Sequence, residues 1–89
     1  MNTYTAETLA DAQALTDLNV EVTYSDHDAH CTLAVGKFCT LDCAEGKPIE
    51  FTIDGFENIR WKYEDMATAL KVAALGEMVH GAACRLAVA

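Results

Sequence analysis

His27, His30, Cys31, Cys39 and Cys43 fall within the seventeen residues from 27 to 43, and imidazole and thiolate are the side chains that hold zinc. Their spacing, His27-x2-His30-Cys31-x7-Cys39-x3-Cys43, lacks the paired CxxC knuckles of a structural zinc site. Alternation along the chain instead turns Cys31, Cys39 and Cys43 to the core side of their strands, where a free cysteine behaves as a small hydrophobe. No metal and no cofactor are therefore expected. A cysteine nucleophile needs a base and an electropositive setting, whereas Cys31 follows Asp26 and Asp28, which raise a thiol pKa. The chain has no GxSxG, phosphate loop, HExxH or dinucleotide fingerprint, and its carboxylates are too frequent to single out an acid–base pair. The expectation is a protein that is not an enzyme and has no catalytic residues.

The acids themselves carry more information. Of a net charge of −8, residues 1–36 supply six carboxylates, Glu7, Asp11, Asp17, Glu21, Asp26 and Asp28, with no Lys or Arg among them. The other eight acids share the rest of the chain with Lys37, Lys47, Arg60, Lys62, Lys71 and Arg85. Such a field repels phosphate and attracts basic protein surfaces, so direct binding to nucleic acid is not expected. The six N-terminal acids are the candidate partner-binding residues.

Eighty-nine residues, 52% of them hydrophobic and 22% charged, suit one globular domain spanning 1–89. Thr5 is the expected N-cap of a first helix reaching about Asp17, with Tyr4 and Leu9 in staple positions and Glu7 in the first turn. Leu9, Ala12 and Leu15 then share its apolar side, and Glu7, Asp11 and Asp17 the other. Strand alternation follows in Val20, Val22 and Tyr24, in Cys31, Leu33 and Val35, in Cys39, Leu41 and Cys43, and in Ile49, Phe51 and Ile53. Turns are expected at residues 26–28, 44–48 and 54–55, and a tight turn or a bulge at Gly36-Lys37. The run from Ile59 to Tyr63 is a short fifth strand, its Trp61 better suited to closing a small core than to anchoring an interface. A last helix runs from Asp65 to His80, where the histidine suits the negative end of the helix dipole. The fold class is α+β: an N-terminal helix, an antiparallel meander of four or five strands, and a C-terminal helix.

The last helix has two apolar stripes. Met66, Ala69, Leu70, Ala73 and Ala74 should cover the sheet, while Val72, Leu75 and Val79 lie nearly opposite, where a surface helix is polar. Two accounts compete. The second stripe is an interface with a partner or a second copy, a homodimer contact being the simplest cover; or the helix breaks at Gly76 and Cys84 to Ala89, as a strand or packed tail, covers it. No secretory signal precedes Thr5, and the window Met66 to Val79 is shorter than the roughly 20 residues of a membrane span. A cytoplasmic protein with reduced thiols, Cys84 included, is expected.

In size, acidity, lack of catalytic motifs and helix–meander–helix outline, the chain resembles the small phage-encoded anti-CRISPR proteins. That resemblance implies an inhibitor acting in the host cytoplasm, which occupies the basic, DNA-reading surface of a CRISPR effector complex with carboxylates in place of phosphates. It assigns no individual residue. The alternative is a small structural or metal-binding homo-oligomeric domain without catalysis.

Overall fold

The computed structural model describes residues 4–17 and 20–88, with side chains through His80. In order come α1 (Ala6–Ala14), β1 (Val22–Asp26), β2 (His30–Val35), β3 (Cys39–Ala44), β4 (Ile49–Ile53), β5 (Trp61–Tyr63) and α2 (Met66–Val88). The strands form one antiparallel sheet in sequence order, β1-β2-β3-β4-β5, as expected of a meander. Both helices contribute to one core on one side of it, with α1 packed alongside α2.

Register explains the layering. Leu33, Leu41 and Phe51 face one another across three strands, as do Val35, Cys39 and Ile53. Because side chains alternate, these rows all point to the helices. Ala69, Leu70, Ala73 and Ala74 meet them from α2, and the alanines let the helix lie close to the sheet. The other face carries Thr23, Ser25, Thr32, Ala34, Thr40, Asp42, Glu50, Thr52 and Lys62, and no described element covers it.

β1 begins at Val22 rather than Val20, and three other boundaries differ from expectation. α1 is capped by Thr5 as predicted, with Thr8 completing a reciprocal capping box, but it stops at Ala14 rather than near Asp17. There the Thr16 hydroxyl donates to the Gln13 carbonyl at 2.7 Å, the Leu15 and Thr16 N–H groups make i→i+3 bonds, and Asp17 turns left-handed at φ 55°. A side chain competing for helix carbonyls in this way ends the helix. Leu15 consequently leaves the apolar stripe and is 79% exposed. At the other end of the sheet, β5 begins at Trp61 rather than Ile59, since consecutive turns closed by Phe56 and Ile59 N–H groups occupy the preceding loop.

The third difference is the largest. Gly76 does not break α2, which continues to Val88, so the segment from Cys84, read as a strand or packed tail if the helix broke, is helix; Ala89 lies outside the described residues. A methyl group at Gly76 would meet the Phe51 ring at 3.2 Å, so the bare Cα is there for close approach to the sheet. At the very next residue, the Glu77 carboxylate accepts the N–H groups of Lys37 and Phe38 at 2.7 and 2.8 Å, fastening the helix to the β2–β3 turn. His80 packs edge-on to Phe38, its centroid 4.5 Å away. No helix among the described residues is long and apolar enough to cross a membrane.

Candidate functional site

The six N-terminal acids are all exposed, on α1, on β1 and in the segments flanking β1. β1 is an edge strand, and two hydrogen bonds hold the segment bearing α1 beside it. Tyr24 donates to the Tyr4 carbonyl at 3.2 Å, and the Gln13 amide donates to the Val20 carbonyl at 2.9 Å. α1 therefore runs antiparallel to β1. Glu7 and Asp11 are on α1, Asp17 and Glu21 lie between α1 and β1, and Asp26 and Asp28 are at the β1–β2 hairpin. From Glu21 to Asp26 the edge spans about 17 Å of extended chain. Among the described residues none of the six pairs with a cation.

Lys37 follows Gly36, whose N–H donates to the Glu21 carbonyl, so one cation stands at that end of β1; two others lie across the sheet. Lys62 is on β5 and Arg60 just before it, four strand spacings or about 19 Å from β1. Arg60 is engaged with Glu50 at 3.0 Å. The strand order thus places the acid-rich segment on the β1 edge and Arg60, Lys62 and Glu50 toward the β5 edge, which follows from the acids falling early in the chain.

The ridge on α2 is only partly as expected. Leu75 and Val79 are exposed, 44% and 71%, and Met78 joins them at 53%. Val72 is half-buried and packs against the core cluster, because α1 lies alongside α2 and the side opposite the sheet is not wholly open. Trp61 lies on the helix side of the sheet with its ring 5.4 Å from Phe51, yet it remains 38% exposed because β5 is an edge.

The open face holds a group that alternation alone did not single out. A shallow hollow of about 610 Å³ lies between the β1–β2 hairpin and the β3–β4 turn, lined by His30, Asp42, Glu45, Lys47, Glu50 and Lys62 among others. Asp42 and Glu50 face each other directly across the strands, a like-charge pair that is unfavourable unless compensated. Arg60 bonds Glu50, and His30 lies 3.9 Å from Asp42. His27 stacks on His30 with centroids 4.8 Å apart and shares a 2.9 Å hydrogen bond with the Thr32 hydroxyl. A hydroxyl beside an imidazole is the first pair of a nucleophile–base arrangement. Here the next carboxylate is beyond hydrogen-bond reach of the stacked ring, and the hydroxyl lies on the uncovered face of the sheet.

The cysteines lie on the other side. Cys31, Cys39 and Cys43 are not disulfide-bonded and are buried on the helix-covered face, while His30, of opposite parity, points away. The sheet itself separates thiol from imidazole. Among the described residues, no three His, Cys, Asp or Glu side chains converge as a metal-binding group. Burial, with the charge of Glu77 beside it, pushes the Cys39 thiol up to about 11, and burial beside Cys31 pushes Cys43 well above its ordinary value. Both are protonated at neutral pH and poor nucleophiles in the closed fold. In comparisons with known proteins, the chain matched no protein family, no curated protein and no solved structure.

Proposed function

We propose that the protein is a binding inhibitor that lays its α1–β1 flank on a basic, nucleic-acid-binding surface of a partner complex. The observation that carries this reading is the set of six exposed carboxylates on α1, β1 and the segments flanking β1, none of them ion-paired among the described residues. Unpaired charge of this kind contributes little to the monomer's stability and attracts an oppositely charged surface over several ångströms. A CRISPR effector complex is the partner implied by the resemblance in size, acidity and outline.

The test compares wild-type protein with an Asp11→Lys, Asp17→Lys, Glu21→Lys variant as bait in a host lysate. The wild type should capture a nucleic-acid-binding protein at low salt and release it as salt rises. The variant should retain at least tenfold less, because the on-rate follows the opposed charge. Equal capture by both proteins at every salt concentration contradicts the reading.

Exposure of Leu75, Met78 and Val79 favours a second reading, a homodimer through α2. Leu75→Asp should then halve the particle mass in sedimentation while circular dichroism stays unchanged. A wild-type protein that sediments as a monomer removes this reading.

A further inference from the structure

Cys31 and Cys43 face each other in direct register across β2 and β3, on the helix-covered side, and both are fully buried. Neither is in a disulfide, and one thiol hydrogen-bonds the other. The parity of the ladder fixes what kind of rung they occupy. Gly36 N–H donates to the Glu21 carbonyl and His27 N–H to the His30 carbonyl, so the even-numbered positions of β2 exchange hydrogen bonds with the β1 side. Its odd-numbered residues, Cys31 among them, therefore turn their N–H and C=O groups toward β3. On the far side of β3, Asp54 N–H donating to the Phe38 carbonyl gives the matching parity.

The two cysteines thus share a hydrogen-bonded rung, where facing Cα atoms are about 5.5 Å apart, inside the range that a disulfide spans. Their Cβ atoms are roughly 1 Å farther apart than the bond prefers. A bond drawn across this rung holds strain, and strained disulfides are the readily reduced ones. The geometry therefore suits a reversible link better than a permanent one.

We propose that Cys31 and Cys43 form a dithiol–disulfide site, closed by low-molecular-weight disulfides and reopened by thiols. In the first step one protein thiolate attacks a disulfide R–S–S–R, forming a mixed disulfide and releasing RS⁻. The second thiolate then attacks the protein sulfur of that adduct, forming the Cys31–Cys43 bond and expelling the second RS⁻. Two electrons leave the protein, and the two protons shed by the cysteines end on the two RS⁻ groups.

On this proposal, access runs past Tyr4, the residue before the α1 cap. The pair is next to the last rung of the ladder, His30 with Ala44, and Tyr4 stands near enough for burial first, and then the charges of Cys43 and Cys31, to raise its phenol. Behind Tyr4, the nine residues of α1 bury a single side chain, Leu9. A helix so short is marginal by itself, which makes its local opening the cheapest way to admit an oxidant and to let the thiols ionise.

The experiment exposes the full-length wild-type chain to oxidised glutathione at mildly alkaline pH, quenches with acid, and maps disulfides by mass spectrometry. The expected product has lost the mass of two hydrogens, joins the Cys31 and Cys43 peptides, and reverts on adding reduced glutathione. Thr5→Ala, which removes the α1 cap and costs about 1 kcal/mol, should speed closure about fivefold. Mapping on the wild type does not depend on whether cysteine variants fold. A disulfide joining other cysteines, stable glutathione adducts on both residues, or two unreacted thiols would overturn the site. A rate that Thr5→Ala leaves unchanged would overturn the route through α1.

Discussion

Replacing Glu77 with alanine is expected to lower the free energy of unfolding by about 3 kcal/mol, a thermal shift of about 15 °C for a domain of this size. The carboxylate accepts two backbone N–H groups, from Lys37 and Phe38, and a bond from the Cys39 thiol. Hydrogen bonds to a charged acceptor are the stronger kind, and their loss leaves the partly buried Phe38 donor without its partner. Gly36 belongs to the same device. Its φ of +67° places it in the left-handed region, and a Cβ there would overlap the Cγ and Cδ of Glu77. Gly36→Ala should therefore cost both the backbone penalty, about 1–2 kcal/mol, and part of the Glu77 clasp. In a Glu77→Ala background only the backbone penalty remains. Chemical denaturation of the two single variants and the double variant checks this, the double costing about 1–2 kcal/mol less than the sum. Strict additivity would mean that the clasp does not hold in solution.

Leu41→Ala should destabilise the protein by about 3–4 kcal/mol, while its neighbour Thr40→Ala should change stability by less than about 1 kcal/mol. Leu41 is fully buried on the central strand, between Leu33 and Phe51. The α2 residues above this face include Ala69, Ala73 and Ala74, which are too short to fill the space left behind. Thr40 points to the open face, where a methyl or hydroxyl meets only water and the flanking Ala34 and Thr52. Against a total stability of about 5–15 kcal/mol, the first change leaves a small domain close to unfolding and the second does not. Similar losses in urea titrations of both variants would mean that the open face is covered by something, most directly a second copy of the chain.

What the sequence made legible here was what is local in it. Cys31, Leu33 and Val35, and likewise Cys39, Leu41 and Cys43, alternate within their own strands, so the face they bury follows from period two alone. Met66 to Ala74 repeat with the helical period and do cover the sheet. The misjudged features depend on residues far apart in sequence. Gly76 reads as a breaker until Phe51 is seen to need the space at its Cα. Glu77 looks like any surface acid until the fold delivers the turn at Lys37, forty residues earlier. The hollow on the open face depends on register, which sets Asp42 against Glu50 and Glu50 against Lys62. The acidic flank lay between these cases. Its composition was plain in the sequence, but the ties between its helical and strand parts needed the hydrogen bonds from Tyr24 to Tyr4 and from Gln13 to Val20.

Competition for the partner's nucleic-acid site tests the proposed function most directly. The partner captured from lysate is loaded with its fluorescently labelled nucleic acid, and the protein is titrated in while anisotropy is followed. Displacement to the value of free nucleic acid is predicted, with no anisotropy change when the protein and the nucleic acid are mixed alone, and with Asp11→Lys, Asp17→Lys, Glu21→Lys shifting the midpoint at least tenfold upward. A ternary complex that retains its nucleic acid at saturating protein would contradict the account.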